Sequence, residues 1–286
     1  MRDTVLYFGT GDPQYTGVAQ RYADKLGLRF AWVGRDAKPW RAGGRSEGVT
    51  DMLRRAAFVL IWNGLQDKAP LAARYCRRRG VPHAFMEWGM LPQNETFMVD
   101  PRGFCGDSVL CGDLGWVTDQ DMQLLGHVRE QLREDHPISD NGDVLVPMQI
   151  FDDTQVLYHT PYDTMQEFVE HLIEIFGRDK LLIRPHPKGG ADYSELGVRV
   201  DNPKTPFLES ACRARCVVGL TSTCLLEAAV LGKPVLALGD GALRVHPASL
   251  HDRVAAGALA LTFRRKSGDL SSVLDRFGIR PLVVDS

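Results

Sequence analysis

Short β-branched or aromatic runs alternate with amphipathic helical stretches along the whole 286-residue chain, and this alternation constrains the fold more than any other feature. Residues 4–8, 29–33, 57–61, 83–86 and 96–99 read as strands, and 14–26, 68–79 and 118–134 carry helical period. A cluster of Pro, Gly, Ser, Asn and Asp over 135–143 reads as a linker. The alternation then restarts, with strands expected at 144–150, 181–184, 216–220 and 235–238 and helices at 162–176, 206–213 and 224–231. Apolar strands alternating with helices predict an α/β fold in which parallel sheets carry helices on both faces. The linker divides the expected lobes into 1–143 and 144–286, two Rossmann-like units facing across a cleft.

Charge and composition narrow the functional classes. The net charge of −2 divides at the linker into −1 and −1, so on this division neither half is a basic lobe suited to a phosphate backbone, and nucleic acid is not an expected partner. No apolar run approaches the ~20 residues of a membrane span, and the start of the chain lacks a signal-peptide core. A cytoplasmic protein is expected, with room for peripheral membrane or multi-module association. The six cysteines form no CxxC pair and read as reduced, mostly buried thiols.

Ligands of open parallel sheets bind at the carboxyl ends of the strands, and those positions here are rich in acids and hydroxyls. The glycine-rich turn FGTGDPQYTG lacks the spacing of a dinucleotide fingerprint, and Asp12-Pro13 reads better as a helix start. In LLIRPHPKGG, proline follows both Arg184 and His186 and biases each toward extended backbone, which holds His186 out at a strand end. Its imidazole suits a phosphate oxygen, with Arg184 and Lys188 adding positive charge; a rigid surface loop is the plainer reading. In GLTSTCLLEAAVL, Thr221, Ser222 and Thr223 offer hydroxyls and amides at a helix start, a geometry for an anion or for simple N-capping. Glu227 lies in an otherwise apolar helix, where a ribose hydroxyl pair or a basic side chain would satisfy it. Asp152 and Asp153 follow an apolar strand; only one of them is expected to face a ligand, and capping of the next turn is the alternative. Glu87 and Asp100 follow two further strands and are read as either site acids or structural ones.

The order E-W-G-x-L-P-Q…D-P-x-G, Q-I-F-D-D-T, R-P-H-P-K and T-S-T-x-x-x-E-A…G-K-P-V, running from about Glu87 to Val235, resembles the retaining β-Kdo transferases. These enzymes use CMP-Kdo, cytidine monophosphate-activated 3-deoxy-manno-octulosonic acid, to build capsule linkers and some O-antigens. The resemblance implies a GT-B-like architecture with donor nucleotide held by the second lobe and acceptor by the first. It implies Asp153 as nucleophile and Glu87 as the acid opposite it, both catalytic. His186 and Ser222 would bind the CMP phosphate and Glu227 the ribose. No cofactor and no metal are expected. Sialyl- or glycerophosphotransferases using CMP or CDP donors, and a non-catalytic nucleotide-sugar-binding module, remain the alternative readings.

Overall fold

The computed structural model describes residues 2–34, 48–189 and 192–282. The elements follow the chain as β1 (Thr4–Gly9), α1 (Pro13–Leu26), β2 (Arg29–Gly34), α2 (Val49–Arg55), β3 (Ala56–Trp62), α3 (Ala69–Arg79), β4 (His83–Trp88) and β5 (Thr96–Asp100). Next come α4 (Asp119–Asp135), β6 (Val144–Pro147), α5 (Thr154–His159), α6 (Met165–Phe176), β7 (Leu181–Arg184) and β8 (Arg199–Val200). The remainder comprises α7 (Phe207–Arg213), β9 (Cys216–Gly219), α8 (Thr223–Leu231), β10 (Val235–Ala237), α9 (Ala242–Val245), α10 (His251–Ala260), β11 (Thr262–Arg264) and α11 (Leu270–Arg276). The α/β class expected from the alternation is what the chain adopts.

Helix starts follow local chemistry. Asp12 caps α1 by accepting from the Gln14 N–H, and Pro13 occupies the first helical position, where a missing N–H costs nothing. Thr118 and Asp121 form a reciprocal capping box at α4. Helix α6 begins at Met165, not at 162, because Thr164 caps it through the Glu167 N–H. Each such cap contributes about 1 kcal/mol. Strand β6 stops at Pro147, short of the expected 150.

The chain forms two compact units. One comprises Met1–Phe104 with Leu261–Ser286, and the other Cys105–Ala260. This differs from the expected single boundary after residue 143, and the packing explains why. Helix α4 lies against α8 and α10 of the second unit, while β11 pairs antiparallel with β5 and so returns the chain end to the first. The division also overturns the even split of charge. The first unit's sequence holds 21 Lys and Arg against 13 Asp and Glu, a net +8, and the second holds 13 against 23, a net −10.

The first unit's six-stranded sheet runs β11-β5-β4-β3-β1-β2. Strands β1 to β4 are parallel, as expected, but β5 turns back antiparallel on β4 with Asp100 opposite Phe85. The seven-residue connection from β4 to β5 is too short for the crossover that a parallel neighbour requires. One face of β1 and β3 buries Leu6, Phe8, Val59 and Ile61 with Leu53 of α2 and Cys76 of α3. The alternate residues turn the other way, where Phe58 meets Tyr22 of α1.

The second unit's sheet, β10-β9-β6-β7-β8, is parallel throughout. Phe168, Val169 and Leu172 of α6 pack with Val144, Val146, Ile183 and Val218 to form its core. Phe168 is among the largest fully buried side chains. Phe168→Ala should therefore cost about 3–5 kcal/mol through lost burial and the cavity left behind. The check is the shift of the urea midpoint for the second unit's transition, read against an unchanged slope.

Candidate functional site

A parallel sheet delivers every strand end to one edge, and in the second unit that edge collects the segments singled out by sequence. The loop after β6 carries Asp152 and Asp153, the loop after β7 carries His186 and Lys188, and the turn after β9 carries Thr221 to Thr223.

Asp153 is exposed and caps α5: its Oδ1 accepts the Gln155 N–H at 2.9 Å. The cap fixes the carboxylate through one oxygen while the second oxygen keeps its lone pairs. Asp152, also exposed, lies in the turn before it. His186 follows β7 and opens a turn, its carbonyl accepting the Gly189 N–H at 2.8 Å. The Lys188 backbone N–H donates to its Nδ1 at 3.1 Å, so the neutral ring carries its proton on Nε2 and presents a donor there. Burial, and then the Lys188 ammonium, hold the imidazole below its ordinary value of 6.5, while the Asp153 carboxylate pulls the other way. His186 is therefore a neutral hydrogen-bond donor near neutral pH, and Asp153 lies close enough for its charge to be felt.

Ser222 caps α8, accepting the Cys224 N–H at 3.2 Å, and Thr223 opens the helix. The amides of that first turn and the positive end of the helix dipole suit an anion. Glu227 is half-buried one turn along. Burial first, and then its carboxylate, push the Cys224 thiol up to about 12, which leaves that thiol protonated and unreactive.

Two expected donors are engaged within the protein. Arg184 gives its guanidinium to a buried pair with Asp201 at 2.6 Å and to the Thr205 carbonyl at 2.6 Å, where it ties β7 to the segment after β8. Thr221 is held by Gln149, whose Oε1 accepts the Thr221 N–H at 3.0 Å and whose Nε2 donates to the Thr221 hydroxyl at 3.1 Å. Gln149 had no role in the sequence reading although it begins the Q-I-F-D-D-T motif. It links the Asp153 loop to the Ser222 turn, a long-range pairing that no local spacing encodes.

Glu87 belongs to the first unit. It follows Met86 on β4 and accepts from Asn63 Nδ2 at 2.5 Å through Oε2 and from the Trp88 N–H at 3.1 Å through Oε1. Asn63 is buried with φ +59°, a left-handed conformation that asparagine tolerates better than most residues. Elsewhere in the same unit Tyr15, Trp62, Trp88 and Phe97 form a cluster of edge-on and tilted ring contacts, and the Arg265 guanidinium lies 5.8 Å from the Trp88 ring centre. Burial, then the Asp12 and Glu87 carboxylates, push the Tyr15 phenol up. Asp100, in contrast, is fully buried and accepts from the Arg102 and Gly103 N–H groups, which makes it a structural turn acid. The glycines of FGTG have steric work of their own. A Cβ on Gly9 would stand 2.6 Å from Tyr7 Oη, and one on Gly11 would overlap the Trp32 ring. Among the described residues no group of three or more His, Cys, Asp or Glu gathers as a metal site, and no helix is long and apolar enough to cross a membrane.

The His186 environment makes a measurable prediction. Its ring resonances should titrate below 6.5, and Asp153→Asn should move the midpoint lower still, because the only contribution that raises it is removed. The sign for stability follows. A histidine with a depressed native pKa binds fewer protons folded than unfolded, so its contribution is intact above 6.5 and is lost as pH falls below it. NMR titration of the wild type and the variant checks both statements, and an unchanged midpoint in Asp153→Asn would remove the electrostatic contact.

Comparison with known proteins bears on the fold and on the second unit's sequence. Residues 127–246 match the family described as capsule polysaccharide biosynthesis protein. Protein FixF of Sinorhizobium fredii is 28% identical over 205 residues, which are 66% of this chain and 50% of FixF, so the chain spans about half of that relative's length. Two solved structures of Thermosulfurimonas dismutans KpsC share the fold. The β-Kdo 2,7 transferase has a TM-score of 0.62 at 18% identity, covering 91% of this chain and 92% of that one. The β-Kdo 2,4 transferase has 0.63 at 17%, covering 96% and 98%. This chain therefore shares the fold of the two KpsC β-Kdo transferase structures, and its residues 127–246 match the model of the capsule polysaccharide biosynthesis family.

Proposed function

We propose that the chain is a retaining, GT-B-like glycosyltransferase that moves β-Kdo from CMP-β-Kdo to a saccharide acceptor, working on the cytoplasmic side in bacterial surface polysaccharide synthesis of capsule or O-antigen type. The observation that carries this reading is the gathering of Asp153, His186 and the Ser222–Thr223 helix start at the carboxyl edge of one parallel sheet. A carboxylate, a neutral N–H donor and a helix N-terminus are the groups that a single-phosphate leaving group and a cation-like sugar centre require.

In the first displacement an Asp153 carboxylate oxygen bonds to Kdo C2 as the bond from C2 to the phosphate oxygen breaks, and CMP leaves with the electron pair. His186 Nε2–H and the α8 amides hold the charge that develops on the phosphate. In the second, the acceptor hydroxyl gives its proton to Glu87 while its oxygen bonds to C2 and expels the Asp153 carboxylate. Two inversions retain the anomeric configuration. Asn63 keeps the Glu87 carboxylate oriented for that proton. Glu227 is assigned to the ribose hydroxyls and Lys188 to supporting positive charge. Thr221 and Arg184 act indirectly here, since their polar groups hold Gln149 and Asp201. The donors at the phosphate suffice for a monophosphate leaving group without a divalent metal.

Intact-protein mass spectrometry after incubation with freshly generated CMP-Kdo tests the reading. A Kdo mass on the peptide containing Asp153, absent in Asp153→Asn, is the expected result, and Glu87→Gln should accumulate the adduct because its breakdown is slowed. His186→Ala should lower kcat/KM by about 10²–10³-fold, the usual cost of one oxyanion donor. CMP release with no adduct would sink Asp153 as nucleophile. Neither adduct nor CMP release would point to a sialyl- or glycerophosphotransferase, or to a binding module without transfer activity.

A further inference from the structure

We propose that the outer face of α3 docks the protein on a bilayer that contains anionic phospholipid. Helix α3 buries Ala69, Ala72, Ala73 and Cys76 against the first unit's core. At 100° per residue its opposite face is centred on Leu71 and Arg78, with Arg74 and Arg77 on one flank and Arg79 on the other. All four arginines are exposed, as is Leu71 at 44%. The helix contains no acidic residue.

Several of the unit's carboxylates are engaged elsewhere. Asp3 pairs with Arg29, Asp51 with Arg54, Glu95 with Arg264 and Asp269 with Lys25, while Asp12 caps α1 and Glu87 holds Asn63. Among the described residues no ion pair neutralises Arg74, Arg77, Arg78 or Arg79. Three of them, Arg77, Arg78 and Arg79, would stabilise the last turn through the helix dipole as any cation does, but the dipole falls off within a turn and does not account for a basic face that begins at Arg74. The surrounding unit carries a net +8, so the local charge adds to a field of the same sign.

The apolar centre of this face decides between anionic partners. A leucine ringed by arginines gains nothing against a phosphodiester backbone, whereas it inserts at the boundary of headgroups and acyl chains while the guanidinium groups stay with lipid phosphates. This inference stands apart from the transfer reaction: neither Asp153 nor Glu87 enters it.

Co-sedimentation of the full chain with vesicles of phosphatidylcholine alone, or of equimolar phosphatidylcholine and phosphatidylglycerol, tests it. Binding to the anionic vesicles only, weakening as salt rises, is expected. Arg74→Gln with Arg78→Gln should lower partitioning about 25-fold, at about fivefold per charge removed. Leu71→Ser should lower it with the salt dependence unchanged. These side chains are exposed, so the melting temperature should not move, which separates lost docking from lost folding. No preference for anionic vesicles at low salt, or equal binding by the double variant, would overturn the proposal. So would tight binding of an oligonucleotide that the same arginines support while vesicles are ignored, since the face would then serve nucleic acid.

Discussion

The parallel five-stranded sheet of the second unit is the constraint from which the site follows. Because every strand runs in one direction, β6, β7 and β9 release their loops at a common edge, and three segments separated by dozens of residues become neighbours. The Gln149–Thr221 contact then fixes two of those loops against each other at hydrogen-bond distance. A buried core of Val, Ile, Leu and Phe from α6 and the sheet makes that edge rigid, so that the polar groups it presents are held by packing. The proposed transfer requires positions fixed to within fractions of an ångström, and strand ends supply that better than free loops.

Two groups at this edge have a structural use that leaves room for the chemical one proposed for them. Asp153 caps α5 and Ser222 caps α8. Capping settles the orientation of each side chain through one hydrogen bond, and this is compatible with a second partner because a carboxylate or hydroxyl oxygen has further acceptor capacity. For this reason capping and ligand binding, which look like rival readings of the same residue, do not exclude each other. Arg184 is different. Its guanidinium is surrounded by Asp201 and the Thr205 carbonyl, and removing it from a buried pair would leave Asp201 uncompensated.

The first unit has a different character. Its sheet closes with two antiparallel pairings, β4 with β5 and β5 with β11, and several of its acids are occupied with caps, turns and ion pairs. The result is a unit of net positive charge that also holds a cluster of aromatic rings. The opposite signs of the two units were invisible in the sequence because the acidic segment 105–143 offsets the basic residues before it when the chain is cut at the linker.

What the sequence determined by itself is local: the α/β alternation, the caps at Asp12 and Thr118, the strand ends of the second half, and the segments R-P-H-P-K and T-S-T that lie at the site. These depend on neighbours within four residues, where periodicity, proline and capping chemistry act. Tertiary structure decided what depends on contacts distant in sequence. The pairing of β11 with β5, the placement of α4 with α8 and α10, and the contact of Gln149 with Thr221 have no local signature, because a strand edge or an amide accepts many partners and only the packed core selects one. The unit boundaries, the charge of each unit and the engagement of Arg184 all follow from that selection.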